Sequence, residues 1–552
     1  MIADIQINSK TFGSKELYKN LHIKINKSEK VALIGRNGTG KSTLINIISG
    51  EDQDYDGSVE FKKGLIVVAS RQEHTDHEDR AVIDYIAADM PEYTKLKSII
   101  DGHPEIMDGK NHLITEYSDA LDRFTQLGYF DIEEKATSAL SKYQLDGSKA
   151  SGRLGDLSGG QKRLVELVKV QLASCDLALI DEPTNHMDYV AKAEFIDWMN
   201  ETKDAVVVIS HDRDVLRAVD RVIEIRDGAA HEFRGNYDAY LRINTGQISN
   251  QLNQYQVDQN RIRKLEEDVV RFRRLKEKAR NPGTIARFKR LENTSSDELK
   301  ELQSRAKPSF WIDKDSAEGL STKISEAYDK HKTQNINIST REKETKSSIK
   351  LVDVYGLSLG YTQPLFTEIG FELRERDRIE IRGRNGVGKS TLVKAIRATS
   401  DGQQLDSKIF AGHIDTDPSL RIGVYSQEMP AGVLDMTLYE AVEDVYRTLG
   451  LEISDKRIRA DLSNYLFDPV VDGNLPMRAL SGGQKARYQL IAMLAGDPNL
   501  LILDEPTNHL DLPSIEELEQ ALERYHGAVI YISHDSYFTD KMSGSIVEIA
   551  SQ

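Results

Sequence analysis

Apolar and polar positions along this chain follow three regimes. In the first, short unbroken apolar runs end on glycines or acids. VALI (Val31–Ile34) meets a glycine-rich loop, and LALI (Leu177–Ile180) and LLIL (Leu500–Leu503) each meet Asp-Glu-Pro. Runs of this length without alternation suit strands buried on both faces. In the second, within about 79–143, YIAADM and HLITEYSDALDRFTQLGYF place apolar residues every three or four positions and predict helices. The third is a charged stretch of more than a hundred residues between FRGNYDAYL (Phe233–Leu241) and Leu351, far longer than an ordinary connection. There Ile248, Leu252, Tyr255, Ile262, Leu265, Val269 and Phe272 mostly step by threes and fours, with one gap where the polar Gln259 falls on the stripe. This predicts a helix with a coiled-coil seam over about 247–280, roughly 50 Å long. Pro282-Gly283 should break or bend it. A second helix through Ala317, Leu320, Ile324 and Tyr328 would complete an antiparallel rod with its apex between Pro282 and Asp313.

The glycine loop GRNGTGKST (Gly35–Thr43) follows VALI and precedes a helical start, LINII. Strand, glycine loop and helix together form a phosphate cradle: Gly35, Asn37, Gly38 and Gly40 let backbone N–H groups turn inward, and the helix N-terminus adds partial positive charge. Lys41 can reach the β- and γ-phosphates of ATP, and Ser42, with Thr43 beside it, can place a hydroxyl on Mg²⁺. GRNGVGKST repeats the unit with Gly383, Asn385, Gly386, Gly388, Lys389, Ser390 and Thr391. The two apolar runs deliver Asp181-Glu182 and Asp504-Glu505 at their carboxyl ends, both followed by PTNH. An Asp there can hold Mg²⁺ through water while the Glu takes a proton from the attacking water.

The motif LSGGQ then occurs twice, as Leu157–Gln161 and Leu480–Gln484. With the phosphate loops and acidic pairs it resembles the signature of ATP-binding-cassette ATPases, in which the signature of one cassette faces the phosphate loop of the other and ATP is sandwiched between them. The resemblance assigns Ser158, Gly159, Gly160 and Gln161, and Ser481, Gly482, Gly483 and Gln484, to the γ-phosphate. It assigns Gln72 and Gln427 to the glutamine loops that touch Mg²⁺, His211 and His534 to the switch histidines, and Asp188 and Asp511 to the loop that crosses the dimer. Tyr361 falls at the aromatic that stacks on adenine, and Phe12 takes that place in the first copy. Since both halves lie in one chain, both composite sites can form within a monomer.

Spacing supports a duplication. Ser158 and Ser481, Glu182 and Glu505, and His211 and His534 are each 323 residues apart, whereas Gln72 and Gln427 are 355 apart. The first copy therefore carries 32 extra residues between Gln72 and Ser158. Two cassettes, extra helices at that point and a long charged linker resemble the ABC-F subfamily. The fold class expected is α/β: tandem P-loop nucleotide-binding domains, 1–243 and 350–552, joined by a helical hairpin at 244–349.

Bulk properties narrow the partners. The 552 residues carry net charge −16 with 29% charged and 39% hydrophobic positions, and one cysteine, Cys175. A single cysteine excludes a disulfide framework and an iron–sulfur cluster and fits a reducing cytoplasm. The amino terminus has no signal-type apolar core, and no run of eighteen apolar residues occurs, so no membrane partner is expected. Between Arg261 and Arg290, twelve basic residues stand against four acidic ones, a local +8 suited to phosphate backbones or to a solvated helix face. The ABC-F resemblance implies binding at the ribosomal tRNA exit site, with the linker directed to the P-site tRNA, rRNA and the peptidyl-transferase centre. RNA-contact candidates are Arg271, Arg273, Arg274, Lys276, Lys278, Arg280, Arg287, Lys289, Arg290, Phe310 and Trp311. The last two can stack on a base or pack between linker helices. The long linker, and a chain that stops eighteen residues after His534, lean toward a ribosome-protection role in antibiotic resistance rather than a housekeeping translation factor. An ATPase subunit for separate membrane chains is the competing reading, and the charged rod argues against it. The single cysteine and short rod disfavour a DNA-maintenance role.

Overall fold

A computed structural model describes residues 1–550 except 13–14, 37, 71–76, 103–110, 174, 186, 305–348, 426–428, 466, 481, 509 and 511. The chain divides into two units, Met1–Tyr237 with Asn337–Gln552, and Asp238–Ile336.

The first unit holds both repeats. In the N-terminal repeat the parallel strands run in the order Val67–Ala69, Leu177–Asp181, Ala205–Ile209, Lys30–Ile34, Arg221–Arg226, with Ala229–Arg234 antiparallel at the edge. Lys30–Ile34 and Ala205–Ile209 are buried along their whole length, which is why they read as continuous apolar runs. A second, antiparallel sheet (Lys15–Ile25, Ala3–Phe12, Asp56–Phe61) packs Ile5, Ile7, Leu21 and Ile23 into one core with Val31, Leu33, Leu44 and Ile48. The C-terminal repeat has the same plan. Its parallel order is Ile422–Tyr425, Leu500–Asp504, Ala528–Ile532, Arg378–Gly383, Ser545–Ile549, beside an antiparallel sheet of Pro364–Arg374, Lys350–Gly360 and Lys408–Thr416. In both, the phosphate-loop strand lies inside the sheet, so the loops at the carboxyl ends of neighbouring strands converge, where open α/β sheets bind ligands.

The helical stretch expected within 79–143 holds Val82–Ala88, Tyr93–Asp101, Asn111–Gln126 and Ile132–Lys142 among the described residues. Tyr93, Phe124, Tyr129 and Phe130 join two of these helices to the short turn Tyr129–Asp131 through ring contacts of 5.0–5.5 Å. In the C-terminal repeat this region holds the helices Leu438–Thr448 and Asp455–Asn464 among the described residues.

The second unit corrects the expected linker. Its first helix runs Tyr237–Lys278, beginning ten residues before the expected Gln247, and the next runs Pro282–Ser304. The turn is therefore at 279–281 rather than within 282–313. Proline at the first helical position loses only an N–H that would have no partner there, and the Asn281 side chain accepts from the Gly283 N–H at 2.9 Å. Pro282-Gly283 thus starts a helix instead of opening a broad apex. Arg261 pairs with Glu298 through two nitrogens at 2.7 and 2.8 Å, and Arg273 and Lys276 both reach Glu292, which makes the helices antiparallel. Leu265 is buried between them, while Arg271, Arg274, Lys278, Arg280, Arg287, Lys289 and Arg290 are exposed. Phe310, Trp311, Ala317, Leu320, Ile324 and Tyr328 lie outside the described residues.

Candidate active site

Each phosphate loop ends in a left-handed glycine, Gly40 (φ 96°) and Gly388 (φ 101°), that opens a helix, Lys41–Ser49 and Lys389–Ser400. These positions need glycine for space as well as for φ: a Cβ on Gly40 would meet the Tyr18 hydroxyl oxygen at 2.7 Å, and one on Gly388 would meet Phe366 at 3.0 Å. Tyr18 donates its hydroxyl to the Gly40 carbonyl, bracing the loop from below. Lys41 Nζ donates to the Gly35 carbonyl at 2.8 Å and the Arg36 carbonyl at 3.3 Å. Lys389 does the same with Gly383 (2.8 Å) and Arg384 (3.0 Å) and lies 3.4 Å from Asn385 Oδ1. Both ammonium groups thus curl over their own loops on neutral carbonyls, partners that an anionic phosphate outcompetes.

Glu182 (φ 46°) and Glu505 (φ 48°) are both left-handed. A non-glycine residue held there costs on the order of 1–3 kcal/mol, and the neighbouring strand enforces it: the Glu182 N–H donates to Ile209 O and the Glu505 N–H to Ile532 O, each at 2.9 Å. His211 Nε2 lies 3.4 Å from Glu182 Oε1, and His534 Nε2 lies 3.1 Å from Glu505 Oε1. Burial pushes Glu182 up to about 8, with Asp181 adding to the shift, and pushes Glu505 up to about 8 against the attraction of Lys389. Burial lowers His534 to about 3, helped by Lys389. In the Glu505–His534 pair the proton therefore sits on the carboxyl. Asp181, Glu182, His211, Ser42 and Ser70 line a cavity of about 260 Å³ that Thr507, Asn508, Leu510, His534 and Asp535 of the other repeat complete. A hydroxyl and a carboxylate facing one polar cavity fit a hydrated Mg²⁺ ion.

The two repeats touch through the residues that the resemblance places at the dimer crossing. Asp188 caps its own helix, accepting from Ala191 N at 2.9 Å, and also accepts from Asn385 N (3.2 Å) and Arg384 Nε (3.3 Å) of the opposite phosphate loop. Burial would raise its pKa, but these hydrogen bonds and the Arg384 charge outweigh it and hold the group below its ordinary value. Ser158 and Gln161 form a reciprocal capping box at the start of helix Gly159–Leu172, which keeps that N-terminus polar. The matching helix in the second repeat is Gly482–Leu494. Tyr361 is 55% exposed, as a stacking ring must be before nucleotide arrives. Phe12 is the last residue of its strand, the central one of the three-stranded antiparallel sheet. Asn37, Gln72, Gln427, Ser481 and Asp511 lie outside the described residues.

Sequence reasoning missed three groups of residues. Tyr18 carried no motif. Arg213 and Glu519 form a buried ion pair across the repeats at 2.8 Å, and Lys192 donates to the His534 carbonyl at 2.7 Å. Both cross-contacts had a signal: at the 323-residue offset Lys192 corresponds to Ile515, Arg213 to Ser536 and Glu519 to Ile196.

Tandem glycine loops, strand-end acid pairs and histidines meeting across one interface define a two-site ATPase built from paired cassettes. The family model described as ABC transporter matches residues 18–185 and 366–508, and a second model of the same description matches 223–317. The chain belongs to this ATP-binding-cassette family and, within it, to the ABC-F type; it is an ATPase. It is 30% identical to the putative ATP-binding protein YdiF of Bacillus subtilis over 100% of this chain and 80% of that protein. It is 28% identical to the probable ATP-binding protein YbiT of Escherichia coli O157:H7 over 98% and 94%. Among solved structures it is similar to archaeal ribosome recycling factor aABCE1 in complex with the ribosomal stalk protein aP1, with TM-score 0.54, 16% identity, and coverage of 98% of this chain and 89% of that one. At that identity the likeness is one of fold. No described helix is long and apolar enough to cross a membrane.

Proposed function

We propose that this ATPase binds the ribosome at the tRNA exit site, closes its two cassettes on two ATP molecules, and uses its linker to act on P-site tRNA and rRNA near the peptidyl-transferase centre, as a ribosome-protection or translation factor. The observation that carries the ATP-driven part is Asp188 on the opposite phosphate loop, since nucleotide entering that loop meets groups already tied to the other cassette. The RNA part is supported by the row of exposed Arg and Lys on the hairpin, in a chain otherwise acidic, and by the ribosomal setting of the structurally similar recycling factor.

In the proposed reaction, loop N–H groups and Lys41 or Lys389 hold the phosphates. Ser42 with Asp181, and Ser390 with Asp504, would hold Mg²⁺, with Gln72 and Gln427 completing the set; the ion supplies positive charge to the phosphate oxygens. Glu182 or Glu505 takes a proton from water as its oxygen attacks the γ-phosphorus, and the bond to ADP breaks. With a pKa of about 8 in the nucleotide-free protein, each carboxyl must lose its own proton before it can act as base, so turnover draws on the ionised fraction and grows as pH rises toward 8. His211 or His534 orients the water and the γ-phosphate. Phosphate release then lets the cassettes part.

The test is sedimentation with ribosomes. The Glu182→Gln, Glu505→Gln double variant should travel with ribosomes in ATP and leave them in ADP, and cells carrying it should change in susceptibility to peptidyl-transferase drugs if the role is protective. Sedimentation with membranes instead would favour a transporter subunit and end this reading.

A further inference from the structure

The interface between the cassettes is not two-fold. Lys192, at the start of the helix Tyr189–Glu201, is 6% exposed. Its ammonium is fixed by two acids of its own cassette, Asp214 at 2.6 Å and Asp212 at 3.2 Å, and it donates its third hydrogen bond, at 2.7 Å, to the backbone carbonyl of His534 in the other cassette. Two residues on, Ser536 donates its hydroxyl to Asp214, with oxygens at 2.7 and 2.8 Å. The segment carrying the second switch histidine is thus held at two points, one of them on the histidine's own peptide.

At the equivalent place opposite, the residue 323 positions after Lys192 is Ile515, which has no donor to give to His211, although both line the same cavity. The residue matching Asp214 is Tyr537, whose ring lies 4.0 Å under the Arg213 guanidinium. The first switch segment is therefore anchored through the Arg213 side chain, two residues beyond the histidine, to Tyr537 and Glu519.

We propose that Lys192 is a positioning residue for one ATP site only: it locks the His534 peptide, and hydrolysis by Glu505 depends on it, whereas hydrolysis by Glu182 does not. A histidine ring moves with its peptide, so a fixed carbonyl fixes where Nε2 points relative to Glu505 and the γ-phosphate. Burial works against charge on Lys192, but Asp212 and Asp214 outweigh it and hold the pKa above its ordinary value, so the ammonium is charged at every pH where the enzyme works. The inference rests on the ATPase alone and stands apart from the ribosome.

The experiment uses the full chain and vanadate trapping of a photoreactive azido-ATP, which labels a site only after hydrolysis. Proteolysis in the connector then separates the halves so that label in each can be counted. Lys192→Met should lower trapped label in the C-terminal half at least fivefold and leave the N-terminal half within twofold, while labelling without vanadate, which reads binding, is unchanged in both. Lys192→Arg should restore most of the loss. Ser536→Ala, which removes only the second attachment, should lower the C-terminal half about twofold. An equal fall in both halves of Lys192→Met would show that Lys192 merely holds the cassettes together. No fall in either half, or failure of Lys192→Arg to restore trapping, would likewise overturn the proposal.

Discussion

Arg213 and Glu519 offer the sharpest energetic test of the interface. Their side chains are 4% and 1% exposed and meet at 2.8 Å across the two cassettes. Removing one partner of a buried pair costs about 3–5 kcal/mol, because the other charge is left without its counterion in low dielectric. Two details of the site order the variants. Glu519 also accepts from Lys541 at 3.0 Å, so Arg213→Met leaves the carboxylate with one cation, and its cost falls to about 2–3 kcal/mol. Glu519→Ala removes the shared anion from both Arg213 and Lys541 and should cost the full amount. At about 1.4 kcal/mol per tenfold, Arg213→Met should reduce the closed population about 30- to 150-fold wherever closure is not already saturated. The assay is energy transfer between one fluorophore on each cassette, titrated with ATP in the Glu182→Gln, Glu505→Gln background. Because two ATP molecules bind per closure, the half-closing ATP concentration should rise by about the square root of that factor, roughly 5- to 12-fold, for Arg213→Met and further for Glu519→Ala. The double variant should cost less than the sum of the singles, since the two residues share one interaction. A shift below threefold for Arg213→Met, or strict additivity in the double variant, would refute the reasoning.

Other consequences of the geometry are equally open to measurement. In the Glu182→Gln, Glu505→Gln variant, ATP binding by equilibrium dialysis should persist while phosphate release falls at least about 100-fold, because water loses its base. For the free enzyme, kcat/KM should rise with pH and level off above about 8, where Glu182 and Glu505 have lost their protons. The same raised values mean that the folded, nucleotide-free protein binds these protons more tightly than the unfolded chain. Its thermal midpoint should carry a stabilising contribution that is full below about 4.5 and lost as pH climbs through about 8, and the double Gln variant should lack it. Tyr18→Phe deletes one hydrogen bond to the first phosphate loop, worth about 0.5–1.5 kcal/mol, and should weaken ATP binding in the N-terminal half roughly two- to tenfold by site-resolved photolabelling.

The chain's local grammar was readable where chemistry demands fixed residue types at fixed spacing. Strand ends with Asp-Glu, glycine loops and LSGGQ each act within a few residues of one another, and the structure brings Ser42, Asp181, Glu182 and His211 to one cavity. What depended on distant backbone was hidden. Nothing local signals that Glu182 and Glu505 are left-handed, because the constraint comes from carbonyls of Ile209 and Ile532 on a neighbouring strand. Pro282-Gly283 interrupts the linker helix as expected, but the second helix begins at Pro282 itself rather than beyond a broad apex, because a proline at the first helical position starts a helix as readily as it ends one. The cross-cassette pairs were legible in principle from positions where the two copies disagree, Lys192 against Ile515 and Arg213 against Ser536. Matches between copies point to shared chemistry; mismatches at an interface point to what makes the two sites unequal.

Closure of the cassettes on ATP is tested most directly by disulfide trapping. Asp214 and Ser536 touch across the interface at 2.7 Å, and the chain's one cysteine, Cys175, is buried and would be changed to serine for the assay. With Asp214→Cys and Ser536→Cys in the Glu182→Gln, Glu505→Gln background, the halves should remain joined after cleavage of the connector, and the cross-link should form at least tenfold faster with ATP than without nucleotide. A rate indifferent to ATP, or no cross-link at all, would contradict the closure on which the proposed cycle depends.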